Sequence, residues 1–474
     1  MPMRLGQVAL SVLAVVAVGV LAGCGGAGSA GDTAGGGAKP TGERGALVAR
    51  IDSLISAPIT AGKVAGASIA VVKGRDTIAV QGFGLANVEL NVPTMARASY
   101  EIGSVSKQFT GVAIMQLVEQ GKINLDDDIS KYLPDYNAQG RRIKVRQLLD
   151  HTSGIKGYTE MPAFRTLQVF DYPRDTLVKL FAKEPFDFEP GEEEIYNNSA
   201  FFLAGLIIAK VSGMSYEDYV QKNLFDKAGM KDAHYCSERT IHKLKVTGYD
   251  SDSAGLIQKR PLSHQWPYAA GSLCASAIDL VAWNEALHRD GKLLGAAAYQ
   301  EFVSPGVLND GTVLGYAKGI AVYPRLGRKA LHHGGGINGF LSENIYFPDD
   351  SLSVVVLFNT AGSEGPDRYA LQIAEMILGK PADAAKPIDG DATRFAGVYA
   401  GRGRGRPTEM TVAVADGKVT IKTPMLGDSA QALTYLGNDT FARDEMRLIF
   451  SGANGKIGKV RIDAGYGNNV LTRK

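Results

Sequence analysis

Runs of apolar residues with two different periods mark the ends of the first folded unit in the chain. Residues 47–55 have apolar positions at helical spacing, whereas residues 67–72 and 77–81 have the short apolar patterns of two strands joined by a polar turn. Four more strand patterns and a final helical one appear much later, at 319–323, 329–333, 343–347, 352–358 and 368–378. Residues 104–287 have the patterns of helices and loops. This arrangement predicts an α/β protein of the α+β type, with one antiparallel sheet flanked by helices.

A second folded unit is predicted at the end of the chain. Residues 380–391 are rich in Pro, Ala and Asp and predict a linker. Beyond it, alternating patterns flank the dipeptides Asp416-Gly417 and Asn454-Gly455, which are strong hairpin signals. We therefore predict a first domain at 45–379 and a small antiparallel β-barrel or sandwich at 392–474.

The first residues have the pattern of an export signal. Arg4 precedes an apolar stretch, 8–21, that is too short for a spanning helix. The stretch ends in Leu21-Ala22-Gly23-Cys24, which resembles the lipobox of a bacterial lipoprotein signal. The resemblance implies that residues 1–23 are removed and that Cys24 is lipidated, with 24–44 as a flexible tether rich in Gly, Ala and Ser. A cleaved signal without a lipid is the alternative.

The same resemblance predicts a location. The protein is expected to be exported and to be lipid-anchored in the bacterial cell envelope, on the periplasmic side. Position 25 is glycine and not aspartate, which favours the outer membrane if the source is Gram-negative. Cys236 and Cys274 are then the only other cysteines, and they form either a disulfide or two buried thiols.

Composition narrows the classes of partner. The 474 residues are 45% hydrophobic and carry a formal net charge of +2, as an ordinary globular chain does. The balance excludes a polyelectrolyte binder, so we expect no nucleic acid partner. No cofactor is predicted, and we expect a monomer.

A candidate nucleophile lies where the helical pattern of 109–118 begins. Ser104 and Lys107 are three residues apart, so on a helix they share one face. A serine hydroxyl needs a neighbouring base, and a buried lysine can act as one because burial lowers its pKa. An ordinary helix cap is the alternative. A second match, Ser153 with Lys156, has glycines beside both residues and is predicted to be a loop.

Two further motifs specify a family. Residues 190–199 deliver Tyr196 and Asn198 just before an apolar helical pattern, and residues 331–340 contain His333 and Gly335 between strand patterns. Taken in order with the serine motif, they resemble the three motifs of the serine β-lactamase-like family. That family includes class C β-lactamases, D-alanyl-D-alanine carboxypeptidases, D-aminopeptidases and esterases. The resemblance covers most of 47–378 and implies a site between the sheet edge and the helical region.

The resemblance also implies the role of each residue. Ser104 would be the acylated nucleophile, Lys107 its helper, and Tyr196 the group that passes a proton between nucleophile and leaving group. Similar β appendages in the family are described as lipocalin-like, which implies that fold for 392–474.

The remaining motif positions would bind the substrate. Asn198 would hydrogen-bond its carbonyl, and the backbone N–H of Gly336 would join that of Ser104 as an oxyanion hole. His333 and Gly335 match the first and last positions of the third motif, where histidine replaces the lysine of a class C β-lactamase. An unperturbed imidazole is mostly neutral at pH 7, so this position supplies no permanent cation for a substrate carboxylate.

Other chemistries fit the residues less well. His332 and His333 are adjacent in a strand, so they point to opposite faces and cannot bind one metal. Asp150 and His151 would need a Gly-x-Ser-x-Gly elbow for a serine triad, and the chain has none. His151 is predicted to be a structural histidine at the end of a helix at 145–150. We therefore predict no metal.

The sequence favours an enzyme. The predicted function is a serine hydrolase that acts through an acyl-enzyme on small peptide (D-amino acid), ester or β-lactam substrates. The alternative is a non-catalytic lipoprotein that binds cell-wall peptides.

Overall fold

The computed structural model describes residues 42–379, 385–403, 406–424, 429–443, 446–453, 456–463 and 467–474. The predicted signal, the lipid attachment at Cys24 and most of the tether lie outside the described residues. Residues 42–44, predicted as tether, instead belong to the first helix.

The α-helices of the described residues are α1 (Gly42–Thr60), α2 (Ser106–Glu119), α3 (Val145–Leu149), α4 (Phe164–Leu167), α5 (Arg174–Ala182), α6 (Asn198–Ser212), α7 (Tyr216–Val220), α8 (Asp226–Ala228), α9 (Ala277–Asn284), α10 (Ala296–Val303) and α11 (Pro366–Leu378). Short 3-10 helices lie at Gly103–Val105, Ile129–Lys131, Tyr158–Glu160, Tyr268–Ala270 and Ala392–Phe395.

The strands are β1 (Gly66–Lys73), β2 (Asp76–Asn87), β3 (Val92–Pro93), β4 (Tyr100–Glu101), β5 (Glu194–Ile195), β6 (His234–Tyr235), β7 (Tyr249–Asp252), β8 (Gly255–Gln258), β9 (Leu273–Ala275), β10 (Leu331–Ile337), β11 (Phe340–Phe347), β12 (Leu352–Phe358), β13 (Thr360–Ala361), β14 (Gly397–Gly403), β15 (Arg406–Ala415), β16 (Lys418–Lys422), β17 (Gln431–Ala432), β18 (Thr434–Gly437), β19 (Thr440–Arg443), β20 (Met446–Ala453), β21 (Lys456–Asp463) and β22 (Gly467–Arg473).

One six-stranded antiparallel sheet joins strands from both ends of the first domain. Its order is β10-β11-β12-β1-β2-β3, which confirms the predicted sheet. The two central strands, β1 and β12, are apolar on both faces because helices cover both sides. Ile69 and Val354 pack with α1 and α11, whereas Ala70 and Val355 pack with the helical region. Strand β10 forms one edge of this sheet.

Helix α2 runs through the centre of the helical region. All of its residues from Ser106 to Leu117 are buried, including Lys107. The helix begins directly after the 3-10 turn Gly103–Val105, so the turn with Ser104 stands at the end of a rigid, buried element. This confirms the helix predicted at 109–118 and places the serine where a sheet edge meets the helical region.

Two details of the predicted first domain are wrong. Residues 319–323 form no strand, because Gly319 turns with a φ of +95° and only Ala321 pairs with β10, through His332. The helical insertion 104–287 also contains five short strands, β5 to β9. Strand β9 pairs with both β4 and β6, and beside this contact Cys236 and Cys274 form a disulfide with Cα atoms 5.2 Å apart. The structure therefore selects the disulfide over two free thiols.

The final unit is a nearly closed antiparallel barrel. Nine strands follow the order β17-β16-β15-β14-β22-β21-β20-β19-β18, and the two outermost strands are separated in the chain by Leu433 alone. The hairpin at Asp416-Gly417 is confirmed. The other predicted turn, Asn454-Gly455, lies outside the described residues. An aromatic and aliphatic core, including Phe395, Tyr399 and Phe450, fills the barrel.

The barrel is joined to the first domain through strand β5. Residue Gly467 of β22 pairs with Ile195, and Asn468 pairs with Glu194. Nearby, Arg461 donates a 2.6 Å hydrogen bond to Thr312. The barrel therefore supports the segment that leads directly into Tyr196.

Among the described residues, no single helix is long and apolar enough to span a membrane. Two consecutive helical segments, Asn198–Ser212 and Tyr216–Ala228, meet the length and composition criteria only when they are taken together, and the chain bends by 79° between them.

Candidate active site

The structure brings the Ser104 hydroxyl and the Lys107 amine together. Nζ of Lys107 lies 3.1 Å from Oγ of Ser104. Ser104 is partly exposed in its 3-10 turn, whereas Lys107 is fully buried one turn further along. Gly103 turns the chain here with a φ of +51°, a conformation that favours glycine. The predicted nucleophile is accessible and the predicted base is shielded from water.

Lys107 is held by two further oxygens that can only accept. Its Nζ donates to Oδ1 of Asn198 and to the backbone oxygen of Ala270, both at 2.8 Å. Burial lowers the pKa of Lys107 well below the usual lysine value. A neutral amine has two hydrogens, which these two oxygens occupy, so its lone pair faces the Ser104 hydroxyl. The geometry is that of a base ready to take the serine proton.

Tyr196 and Asn198 approach Lys107 from the start of helix α6. Oδ1 of Asn197 caps this helix by accepting from the N–H of Ala200 at 2.9 Å, which fixes the turn around both residues. Nζ of Lys107 lies 4.7 Å from the centroid of the Tyr196 ring. Asn198 accepts from Lys107 with its Oδ1 and donates from Nδ2 to Thr159 at 3.2 Å. The first two motifs therefore meet as predicted.

His333 lies behind the site in a single tautomer. Its Nδ1 is 2.6 Å from the carbonyl oxygen of Gly334, which can only accept, so Nδ1 carries the proton. Its Nε2 accepts from the hydroxyl of Tyr316 at 2.7 Å. Burial lowers the pKa of His333 to about 3. The imidazole is neutral, in agreement with the prediction that this position supplies no permanent cation.

Gly335 and Gly336 of the third motif have different surroundings in strand β10. A Cβ on Gly335 would lie 2.1 Å from the carbonyl oxygen of Ile102 and 2.2 Å from Oγ of Ser342, so only glycine fits. A Cβ on Gly336 would meet only Leu341, at 3.5 Å. The absence of a side chain at Gly335 lets the edge strand pack against the segment that leads into Ser104. Gly336 lies beside this contact, next to Gly103.

A small cavity of about 130 Å³ opens beside the nucleophile. Ser104, Asn198 and Gly336 line it, together with an apolar and aromatic group made of Tyr158, Phe164, Leu262, Pro267 and Ile337. Among the described residues, no Asp, Glu, Lys or Arg lines this cavity. Lys107, Tyr196, His333 and Gly335 do not line it either, so His333 stands behind the cavity rather than in it.

The residues of the alternative nucleophile, metal and triad assignments have other partners in the structure. Lys156, of the second serine and lysine pair, forms an ion pair with Asp187 at 2.9 Å, and Ser153 is buried in a loop as predicted. His332 faces away from His333 and lies 3.3 Å from Glu343. Asp150 accepts from Thr152 at 2.6 Å.

Three contributors were not identified from the sequence. The carbonyl of Ala270 has no side-chain signal, and Tyr316 lies 17 residues before the histidine to which it donates. His151 is buried, as a structural histidine would be, but its ring packs 4.3 Å from that of Tyr196, and its Nδ1 accepts from the N–H of Asn197 at 3.0 Å. His151 could have been identified from the sequence because it lies in the part of the chain that resembles the family.

Comparison with known proteins identifies the family. A family model described as "Beta-lactamase" matches residues 51–375, which is more than half of the chain. The chain therefore belongs to the β-lactamase family.

Similar proteins agree with this assignment. The chain is 27% identical over 320 residues to Protein flp of Staphylococcus aureus (strain MRSA252), over 65% of this chain and 62% of that protein. It is 27% identical over 335 residues to a D-aminopeptidase of Brucella anthropi, over 70% of this chain and 62% of that enzyme. The chain thus spans less than two thirds of the length of these relatives.

A solved structure covers both domains. The octameric penicillin-binding protein homologue from Pyrococcus abyssi aligns with a TM-score of 0.62 and 25% identity, over 89% of this chain and 99% of that chain. That neighbour is an octamer, so a monomeric state for this protein stays a prediction.

Proposed function

We propose that this protein is a serine hydrolase that forms an acyl-enzyme on Ser104. The observation that carries the proposal is the contact between the Ser104 hydroxyl and the buried amine of Lys107, whose pKa is lowered by that burial. Two acceptor oxygens occupy the N–H groups of the neutral amine, so proton transfer from serine has a defined path.

The proposed reaction has two halves. Lys107 takes the proton of Ser104 while Oγ attacks the substrate carbonyl carbon, and the resulting oxyanion lies between the N–H groups of Ser104 and Gly336. Tyr196 passes the proton to the leaving amine or alkoxide as the bond to the carbonyl carbon breaks. Water then attacks the ester and gives one proton back through the same groups, which releases the acid and restores Ser104.

The cavity favours substrates that have no carboxylate and carry an apolar group beside the scissile carbonyl. Its lining combines an aromatic and aliphatic group with the polar residues Ser104, Thr159, Asn198 and Asn338, and it has no charged side chain among the described residues. His333 is neutral and stands behind this surface. We therefore place amides and peptides of apolar D-amino acids, and neutral esters, ahead of β-lactams that carry a carboxylate. The similarity to a D-aminopeptidase supports the amide class.

The proposed setting is the cell envelope. The apolar stretch that ends in Cys24 supports export and lipid attachment, and substrates there include cell-wall peptides and esters.

Covalent labelling tests the proposal. The wild-type protein, Ser104→Ala and Ser153→Ala are exposed to a fluorophosphonate, and the intact mass is measured. We expect one adduct on the wild-type protein and on Ser153→Ala, and none on Ser104→Ala. No adduct on the wild-type protein would favour the non-catalytic peptide-binding alternative. An adduct that is lost in Ser153→Ala would contradict the assignment of Ser104 as the nucleophile.

Turnover then tests the substrate class. We expect the wild-type protein to hydrolyse D-phenylalanine amide and a neutral short-chain ester with a higher kcat/KM than a cephalosporin. A higher kcat/KM for the cephalosporin would contradict the preference for substrates without a carboxylate.

A further inference from the structure

Two carboxylates and an imidazole converge beside the strand that leads into the Ser104 turn. Glu101 lies on β4, Glu238 follows the disulfide cysteine Cys236, and His264 precedes the 3-10 helix Tyr268–Ala270. Nε2 of His264 lies 3.6 Å from Oε2 of Glu101 and 3.6 Å from Oε1 of Glu238. One ligand atom from each residue lies within 4.8 Å of the other two. We call these three residues the Glu–Glu–His cluster.

A hydrogen bond behind His264 determines its tautomer. Oγ of Ser272 donates its one proton to the backbone oxygen of His264 at 2.9 Å. The same Oγ must then accept from Nδ1 of His264, 3.3 Å away. Neutral His264 therefore carries its proton on Nδ1 and directs the lone pair of Nε2 at the two carboxylates. This is the arrangement in which histidine binds a metal through Nε2, with its other nitrogen oriented by a hydrogen bond.

One protein cation already lies beside the cluster. Nζ of Lys259 is 2.6 Å from Oε1 of Glu101, which leaves Oε2 of Glu101 and Oε1 of Glu238 on the side of His264.

Two buried atoms of the cluster also lack hydrogen bonds. Glu101 and His264 are 2% and 7% exposed. Yet Oε2 of Glu101 and Nε2 of His264 make no hydrogen bond with any residue that the structure describes. Buried polar atoms normally have a partner, so these two indicate that something else binds between them.

We propose that Glu101, Glu238 and His264 bind a divalent transition-metal cation of the Zn²⁺ class. Zn²⁺ binds nitrogen and oxygen at about 2.0–2.2 Å in tetrahedral sites, which places neighbouring ligand atoms roughly 3.3–3.6 Å apart. The separations from Nε2 of His264, both 3.6 Å, match the upper end of that range. Water would complete the four ligands.

A proton on Nε2 of His264 is the competing occupant. A protonated His264 would form ion pairs with both carboxylates without a metal. At 3.6 Å, however, neither carboxylate oxygen is close enough for a good N–H···O hydrogen bond, which is shorter than about 3.2 Å. The separations suit ligand atoms around a shared cation better than direct N–H···O hydrogen bonds.

The bound cation would tie three segments to the active site. Glu101 stands three residues before Ser104, and the chain from His264 leads to the Ala270 carbonyl that holds Lys107. Glu238 belongs to the segment that the disulfide joins to β9. The cation would thus stabilise the packing of these three segments behind the Ser104 turn, and it would not contact the substrate.

Metal binding to the whole, tag-free protein tests this assignment. The protein is treated with a chelator, transferred to non-reducing buffer and titrated with ZnCl₂ by calorimetry, and its Tm is measured with and without Zn²⁺. The test variant is Glu238→Gln, because the Glu238 side chain is 56% exposed and its substitution leaves the core intact. The matched control is Glu189→Gln, whose side chain is 55% exposed and pairs with Arg141.

We expect one Zn²⁺ per wild-type chain, a Tm that rises on binding, and a Kd at least 10-fold weaker in Glu238→Gln but unchanged in Glu189→Gln. His264→Gln should lose the binding as well. The absence of saturable binding to the wild-type protein would assign the cluster to a protonated His264, and equal binding by both glutamate variants would place the metal elsewhere. Either result overturns the proposal and leaves the function proposed for Ser104 unaffected.

Discussion

Tyr316 donates a 2.7 Å hydrogen bond to Nε2 of His333 and thereby joins the loop before the edge strand to the strand itself. The tyrosine ring also packs against His151, at 4.6 Å between ring centroids, and His151 packs against Tyr196. A residue outside all three motifs thus links the second and third of them.

Tyr316→Phe should lower both stability and rate. The change removes the hydrogen bond from Tyr316 to Nε2 of buried His333, a loss that costs about 1–3 kcal/mol of unfolding free energy. Because His333 and Tyr196 are neighbours, with ring centroids 6.1 Å apart, kcat/KM should fall as well. Urea unfolding and turnover of a neutral ester measure the two effects.

Tyr299→Phe is the matched control for this variant. The Tyr299 hydroxyl lies 3.0 Å from Nδ1 of the partly buried His288, whose pKa is lowered to about 3 by desolvation, but that pair is outside the site. Tyr299→Phe should lower the free energy of unfolding with little change in kcat/KM. Equal kinetic loss in both variants would contradict a special role for Tyr316.

The pH profile should report the buried amine of Lys107. Its neutral form is the base, and burial lowers its pKa, so kcat/KM is high above that pKa and falls as the pH drops through it. The midpoint should therefore lie well below about 10.4, the usual lysine pKa. Lys107→Arg, which stays charged, should lose about 10²-fold or more in kcat/KM. A midpoint near the usual lysine value would exclude Lys107 as the base.

Gly335→Ala should disrupt the contact between strand β10 and the segment that leads into Ser104. The added Cβ would clash with the Ile102 carbonyl and with Ser342, and overpacking of this kind costs about 1–3 kcal/mol. We expect a lower Tm and slower fluorophosphonate labelling.

Gly458→Ala, with nothing within 4 Å of the new Cβ, is the control for the added methyl group. It should keep the labelling rate. Normal labelling of Gly335→Ala would show that the strand tolerates displacement from the turn.

Cys24→Ser should block lipid attachment. Without the thiol, the precursor should stay unlipidated and uncleaved at Gly23, because the predicted lipobox needs the cysteine. Intact mass and detergent phase separation measure this. A mature, detergent-phase protein in this variant would remove the lipoprotein prediction.

The sequence predicted the parts of the site that carry a local pattern. Ser104 and Lys107 were found from their spacing at the start of a helix, and Tyr196 and Asn198 from their resemblance to the second motif of the family. The Ala270 carbonyl and Tyr316 come from distant loops, and a backbone oxygen has no residue type to identify it. The site therefore depends on long-range packing that local patterns do not contain.

The fold was predicted to a similar extent. The sheet and its central strands followed from apolar periodicity. The prediction of a strand at 319–323 was wrong because Gly319 turns the chain, although the alternation of the following residues suits a strand. The glycines at 334–336, which are weak strand formers, are held inside β10 by pairing with β11.

The pairing of β22 with β5 constrains the order in which the protein can be completed during its synthesis. Ile195, the residue before Tyr196, pairs with Gly467, and more than half of the chain separates the two. The segment that presents the tyrosine therefore gains its last backbone neighbour only after the barrel has been translated. Nascent chains that lack the final strand hold the serine and lysine but not the finished support for Tyr196, so full catalytic competence is expected to come late in biogenesis.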